Sequence, residues 1–146
     1  MSGDDNEWCY MVRFMGHQIA FSRELKFQHF MPATRMKWDY LKKLYIGFGR
    51  TNLYAHAYQF LFLNDNLPRT DLRLPFWFDT YIHRWKNLIS HYKFIRKKRN
   101  LIGDEDILRY YGMLGELKEL RSLRNKYIEI YKIALNNRKR LQKDHA

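Results

Sequence analysis

At 146 residues the chain has room for one domain with a modest core. Hydrophobic residues at 46% and aromatics at 17% exclude a disordered basic tail, and a single cysteine, Cys9, excludes an intrachain disulfide and a multi-cysteine zinc site. With 27 Lys and Arg against 15 Asp and Glu, the net charge of +12 calls for an anionic partner, for which nucleic acid and the cytoplasmic face of a membrane are the ordinary choices.

In chain order, the amino end lacks a cationic start followed by an apolar stretch, so it does not read as a secretory signal, and the lone thiol fits a reducing, cytoplasmic setting. Gly3 and the acids Asp4 and Asp5, followed by apolar Trp8, Cys9 and Val12 and a stop at Gly16, predict a short helix with carboxylates at its mouth and Cys9 buried. Glu7 lies two residues from Asp5, off its helical face, so a paired-carboxylate arrangement is not expected. The alternation at residues 18–21 and 25–30, with Ser22, Arg23 and Glu24 between, predicts two strands, the second placing Leu25, Phe27 and His29 on one face before Pro32 ends it.

Thr34 is the expected N-cap of an amphipathic helix through Trp38, Leu41, Tyr45 and Phe48, with Arg35, Asp39 and Lys43 on another face. Gly47 and Gly49 are expected to end or kink it before the apolar stretch at residues 53–63, which is about half of the roughly 20 residues a membrane span needs. Residues 64–68, followed by Pro75, read as a linker. A stripe through Trp77, Tyr81, Trp85, Leu88, Tyr92 and Ile95 predicts a long helix ending in Arg96, Lys97, Lys98 and Arg99, a basic cluster that the helix macrodipole partly accounts for. Asp104 should cap the next helix, whose stripe runs from Ile107 through Leu114 and Leu120 to Tyr131, with a bend near Gly112 and Gly115. Residues 138–146 should fray.

Residues 3–9, then Arg13 and Gly16, then Gln28-His29-Phe30-Met31-Pro32, then Arg35, Trp38, Tyr40 and Leu41 resemble the carboxyl-terminal part of the catalytic domain of family-2 glycosyltransferases. Members of that family show a Gly-Glu-Asp-x-Glu-Leu-Cys pattern, a helix ending in glycine, and an aromatic-flanked histidine near a proline. The likeness covers residues 3–49, a third of the chain. The sequence departs from the pattern at Asp4, where glutamate is commoner, at Trp8, where leucine is usual, and at Met11, where a basic residue often sits.

The resemblance implies a GT-A type α/β fold and inverting transfer of a sugar from a nucleotide-sugar donor to an acceptor hydroxyl, with a divalent metal, Mg or Mn, in the full enzyme. Asp5 would be the catalytic base, Asp4 its support, and His29 a metal or diphosphate ligand. An acid at a helix amino end suits that duty, because dipole and free amides keep it ionised and ready to take a hydroxyl proton. Without the resemblance, Asp4 and Asp5 read equally as an N-cap and a first-turn acid, and His29 as a hydrogen-bonded core or rim residue. Trp38 and Tyr40 could line an acceptor groove or simply pack in the core. The expected architecture is thus α+β and predominantly helical: residues 1–49 as the end of a GT-A catalytic domain, then residues 50–146 as a helical basic extension. The donor-binding half, with its Asp-x-Asp motif, would precede residue 3, making the chain a fragment inactive alone. Its glycan or lipid-linked acceptor would belong to cell-surface glycan or polysaccharide synthesis.

The extension itself, basic and rich in Trp, Tyr and Phe, suits an anionic membrane interface contacted through Lys93, Arg96, Lys97, Lys98 and Arg99, and equally a packed helical bundle with solvated charges. A nonenzymatic module binding nucleic acid is the rival from another class, with the cluster on phosphates and aromatics stacked on bases.

Overall fold

The computed structural model describes residues 4–28, 30–64, 74–98 and 101–143. Among them are five α-helices, α1 (Asp4–Phe14), α2 (Trp38–Leu63), α3 (Trp77–Ile95), α4 (Glu105–Ser122) and α5 (Tyr127–Lys143), with a 3-10 turn at Ala33–Met36. The protein is predominantly helical.

Two boundaries follow directly from local chemistry. Gly16, at φ +83°, takes the left-handed turn that ends α1, and the amide of His17 reaches back to the Val12 carbonyl at 3.2 Å. Asp104 caps α4 by accepting from the Asp106 amide at 2.8 Å, with Glu105 and Asp106 in the first turn.

The core lies along α2. Leu53, Ala57, Tyr58 and Leu61 meet Leu120 of α4 and Ile130, Tyr131 and Ala134 of α5, and Phe14 brings α1 onto the same cluster. Contacts on α2 and α4 advance together, from Lys42 over the Tyr111 ring to Tyr54 donating to Glu119 at 3.2 Å, so these helices run in the same sense. α3 runs the opposite way along α4: Trp77 donates to the Leu120 carbonyl at 2.7 Å, and His91 to the Asp106 carbonyl at 2.8 Å.

Several sequence expectations are corrected here. The described residues contain no strand. Segments 18–21 and 25–28 keep their alternating pattern, but a strand exists only by pairing and nothing among the described residues pairs with them; Phe21 and Phe27 are 89% and 86% exposed. Thr34 falls inside the 3-10 turn, and α2 starts at Trp38 after Lys37, with no side-chain cap bond. Gly47 and Gly49 do not end the helix, because α2 runs through both to Leu63.

Gly49 serves the packing instead. A Cβ built on it would lie 1.8 Å from the Gly112 carbonyl oxygen, and one on Gly115 would lie 2.1 Å from that of Ile46. The two helices therefore touch backbone to backbone, a contact only glycine permits. α4 continues through Gly112 and Gly115, and the stripe read as one helix is divided further on, between α4 and α5. Against the fraying expected over residues 138–146, α5 continues to Lys143, with Arg138 over the Phe14 ring, and residues 144–146 lie outside the described residues. Cys9 is exposed, because α1 docks through Tyr10, Met11 and Phe14. The linker reading beyond Asn64 lies outside the described residues.

Candidate functional site

Asp4 and Asp5 form the first turn of α1, as the acid motif predicts. Asn6, the next residue, lines a cleft of about 530 Å³ between α1, α2 and α4. Tyr45 and Phe48 give this cleft an aromatic wall, Thr51, Asn52 and Arg109 give it polar groups, and Glu116 lies at its inner side. The floor is the backbone crossing of Gly49 and Gly112.

Glu7 points the other way along α1. Its carboxylate accepts from the Tyr58 hydroxyl at 2.5 Å, and that hydroxyl accepts in turn from the Asn137 side-chain amide at 2.9 Å. Burial, then donation to the Glu7 carboxylate, pushes the Tyr58 hydroxyl up to about 12. The network ties α1 to α2 and α5, and so fixes the acid-bearing helix on the bundle.

Behind the cleft lies a polar centre that the apolar patterns did not announce. Glu116 is 6% exposed, and its Oε1 lies 2.9 Å from Arg84 Nε. The two charges attract, but neither atom completes a hydrogen bond to the other, so the contact is an ion pair without directional bonding. Arg84 also places a terminal amine 3.0 Å from His56 Nε2. Because a guanidinium can only donate, that ring nitrogen accepts, with the His56 ring neutral. Burial, reinforced by the Arg84 cation, lowers the His56 pKa, and its 3.7 Å approach to Glu116 is therefore not a salt bridge. Burial raises the Glu116 pKa while Arg84 opposes the shift.

On the far side, His56 and Arg84 border a second cleft of about 350 Å³ with Thr80, Tyr127 and Tyr131. The three hydroxyls form a chain at 3.1 Å steps, and the Tyr131 hydroxyl is raised by burial and by its bond to Tyr127. This polar seam joins α2, α3, α4 and α5 through groups that only other helices can satisfy.

The basic end of α3 divides in use. Lys98 is committed, bonded to Asp104 at 2.6 Å and Asp106 at 2.5 Å and lying over the Phe94 ring, so it staples α3 to the cap of α4. Lys93, Arg96 and Lys97 are exposed. Arg99 lies outside the described residues, as does His29. Trp38 and Tyr40 are half-buried at the start of α2. Among the described residues no group of three His, Cys, Asp or Glu side chains could hold a metal ion. Comparison with known proteins yields no family model, curated protein or solved structure that matches the chain.

Proposed function

We propose that the chain is the acceptor-side part of an inverting glycosyltransferase, in which Asp5 activates the acceptor hydroxyl. The observation that carries this reading is the position of the acid motif: its helix opens at Asn6 onto a cleft whose walls combine aromatic rings with amide, hydroxyl and guanidinium groups. Sugars offer apolar C–H faces and a dense set of hydroxyls, and such walls complement both. The strand-patterned segment 18–28 adds support, since it leaves Phe21 and Phe27 exposed and a donor-binding half would offer a surface to cover them.

In the reaction, the Asp5 carboxylate takes the acceptor hydroxyl proton as that oxygen attacks the anomeric carbon. The bond from that carbon to the diphosphate breaks, and the nucleotide diphosphate leaves with the electron pair. One base suffices for this single displacement, with Asp4 in support. The metal that would stabilise the leaving diphosphate belongs to the donor half on this reading.

The acceptor claim is testable on the chain alone. Titrating a panel of oligosaccharides into isotope-labelled protein should shift the side-chain amide signals of Asn52 and Asn6 for at least one glycan, and Asn52→Ala should remove the response. Silence of both signals across the panel, or a response confined to residues outside the cleft, would contradict the assignment.

A further inference from the structure

α3 carries two adjacent stripes, and the sequence pattern merges them. The inner one, Trp77, Tyr81, Arg84, Leu88, His91 and Ile95, faces α4 and the bundle. Each member is followed by a residue rotated about 100° around the axis. Those followers, Phe78, Ile82, Trp85, Ile89 and Tyr92, form a second stripe at the same four- and three-residue steps. It faces outward: Phe78 is 58% exposed, Trp85 43%, Ile89 39% and Tyr92 50%.

Lys86, Lys93 and Lys97 border this stripe on the side away from the bundle, and Arg96 continues it past the helix end; all four are exposed. Asp79 is the acid of α3 on that border. The stripe runs for about 21 Å at 1.5 Å per residue, with indole and phenol groups among the aliphatic ones and lysines along one edge.

We propose that this outer face of α3 is a docking surface for an anionic lipid bilayer, with the helix lying in the interfacial plane. The apolar stripe enters the headgroup boundary, Trp85 and Tyr92 occupy the depth their mixed polarity favours, and the bordering lysines extend to lipid phosphates and carboxylates. Charge complementarity selects this occupant. A second copy packed on the same face would set Lys86, Lys93, Arg96 and Lys97 against their own counterparts with only Asp79 to offset them. A nucleic acid would meet Ile82 and Ile89 at the centre of the stripe, where neither stacking nor phosphate contact is offered. No helix among the described residues is long and apolar enough to cross the bilayer, so the contact is superficial.

The surface is independent of the transfer chemistry, and its test uses no sugar. The chain is sedimented with phosphatidylcholine vesicles with and without phosphatidylserine, and the emission of a variant that keeps Trp85 as its one tryptophan (Trp8, Trp38 and Trp77 replaced by Phe) is followed alongside. Binding should require phosphatidylserine, with a blue shift of tryptophan emission. The double variant I82S/I89S should lose on the order of tenfold or more of the partitioning. K93E/R96E should lose on the order of fivefold or more per charge and steepen no further with salt. These side chains are exposed, so the helical circular dichroism signal of each variant should match the parent. Absence of vesicle binding overturns the proposal, as does vesicle binding unchanged by both variants. A salt-dependent shift of oligonucleotide without vesicle binding, or self-association through α3 that I82S/I89S abolishes while vesicles stay unbound, overturns it as well.

Discussion

The crossing of α2 and α4 makes a prediction whose sign changes over two residues. At Gly49 an added methyl would sit 1.8 Å from the Gly112 carbonyl oxygen and 2.9 Å from the Glu116 amide nitrogen, and both neighbours are backbone. Neither can rotate away, so the helices themselves must part by an ångström or more. Overpacking of this kind costs roughly 1–3 kcal/mol, and the rigid partner puts Gly49→Ala at the upper end. Alanine recovers about 1 kcal/mol of helix propensity, leaving a net loss of about 2 kcal/mol. Gly47, one turn-half away on the same helix, has nothing within 4 Å of its added methyl. Gly47→Ala should therefore stabilise by about 0.5–1 kcal/mol. For a domain near 150 residues each kcal/mol shifts the melting temperature by roughly 2–4 °C. Thermal unfolding followed by circular dichroism should then place Gly49→Ala roughly 4–8 °C below the parent and Gly47→Ala a few degrees above it. A Gly49→Ala protein as stable as the parent would refute the close crossing, and with it the floor of the cleft.

Two further outcomes test the networks that hold the site. Tyr58→Phe removes the hydroxyl between Glu7 and Asn137 and should cost about 1–2 kcal/mol, read as a lower urea midpoint at constant slope; an unchanged midpoint would mean that the network does not fasten α1. His56 is held neutral in the fold with its pKa below the ordinary 6.5, so the unfolded chain takes up a proton first as pH falls through that value and stability drops on acidification. Glu116 acts in the opposite sense: its pKa is raised, so it takes stability away as pH rises from 4.5 through its folded value. His56→Gln keeps an acceptor for Arg84 without titrating, so its stability should fall less than the parent's between neutral pH and the region just below 6.5; parallel curves would contradict the neutral assignment.

Local signals were legible and pairwise ones were not. Gly16 and Asp104 act through their own turns, so the end of α1 and the start of α4 could be read from single residues and their neighbours. Gly49 looks like a helix breaker until Gly112 and Ile46 are beside it, because its lack of a side chain matters only to a second helix. The alternation at residues 18–28 is a strand pattern without a strand, since pairing is a property of two segments. On α3, the apolar stripe read from the sequence ran through Trp85 and Tyr92, yet the inner positions at those steps belong to Arg84 and His91, whose partners Glu116 and the Asp106 carbonyl lie on α4.

A signal for the missed polar centre was present. Arg84 falls at the four- and three-residue steps between Tyr81 and Leu88, and Glu116 stands among Gly115, Leu117 and Leu120, all buried. A charged residue at a core step on each of two helices is the mark of a buried pair. The acid motif was legible for a different reason, since Asp4, Asp5 and Gly16 mark one helix wherever it packs. The cleft lined by Asn6 required Tyr45 and Asn52 of α2 to meet Arg109 of α4, which only the packing of two helices brings about.

The assignment of Asp5 as base is tested most directly by transfer itself. The genomic sequence upstream of Met1 is read; if it continues in frame, the longer product is expressed with and without Asp5→Asn, and sugar transfer and donor binding are measured side by side. The parent should transfer sugar with inversion, and Asp5→Asn should abolish transfer while binding the nucleotide-sugar donor nearly as well. Undiminished turnover by Asp5→Asn, or an extended product that binds no nucleotide sugar, would contradict the assignment.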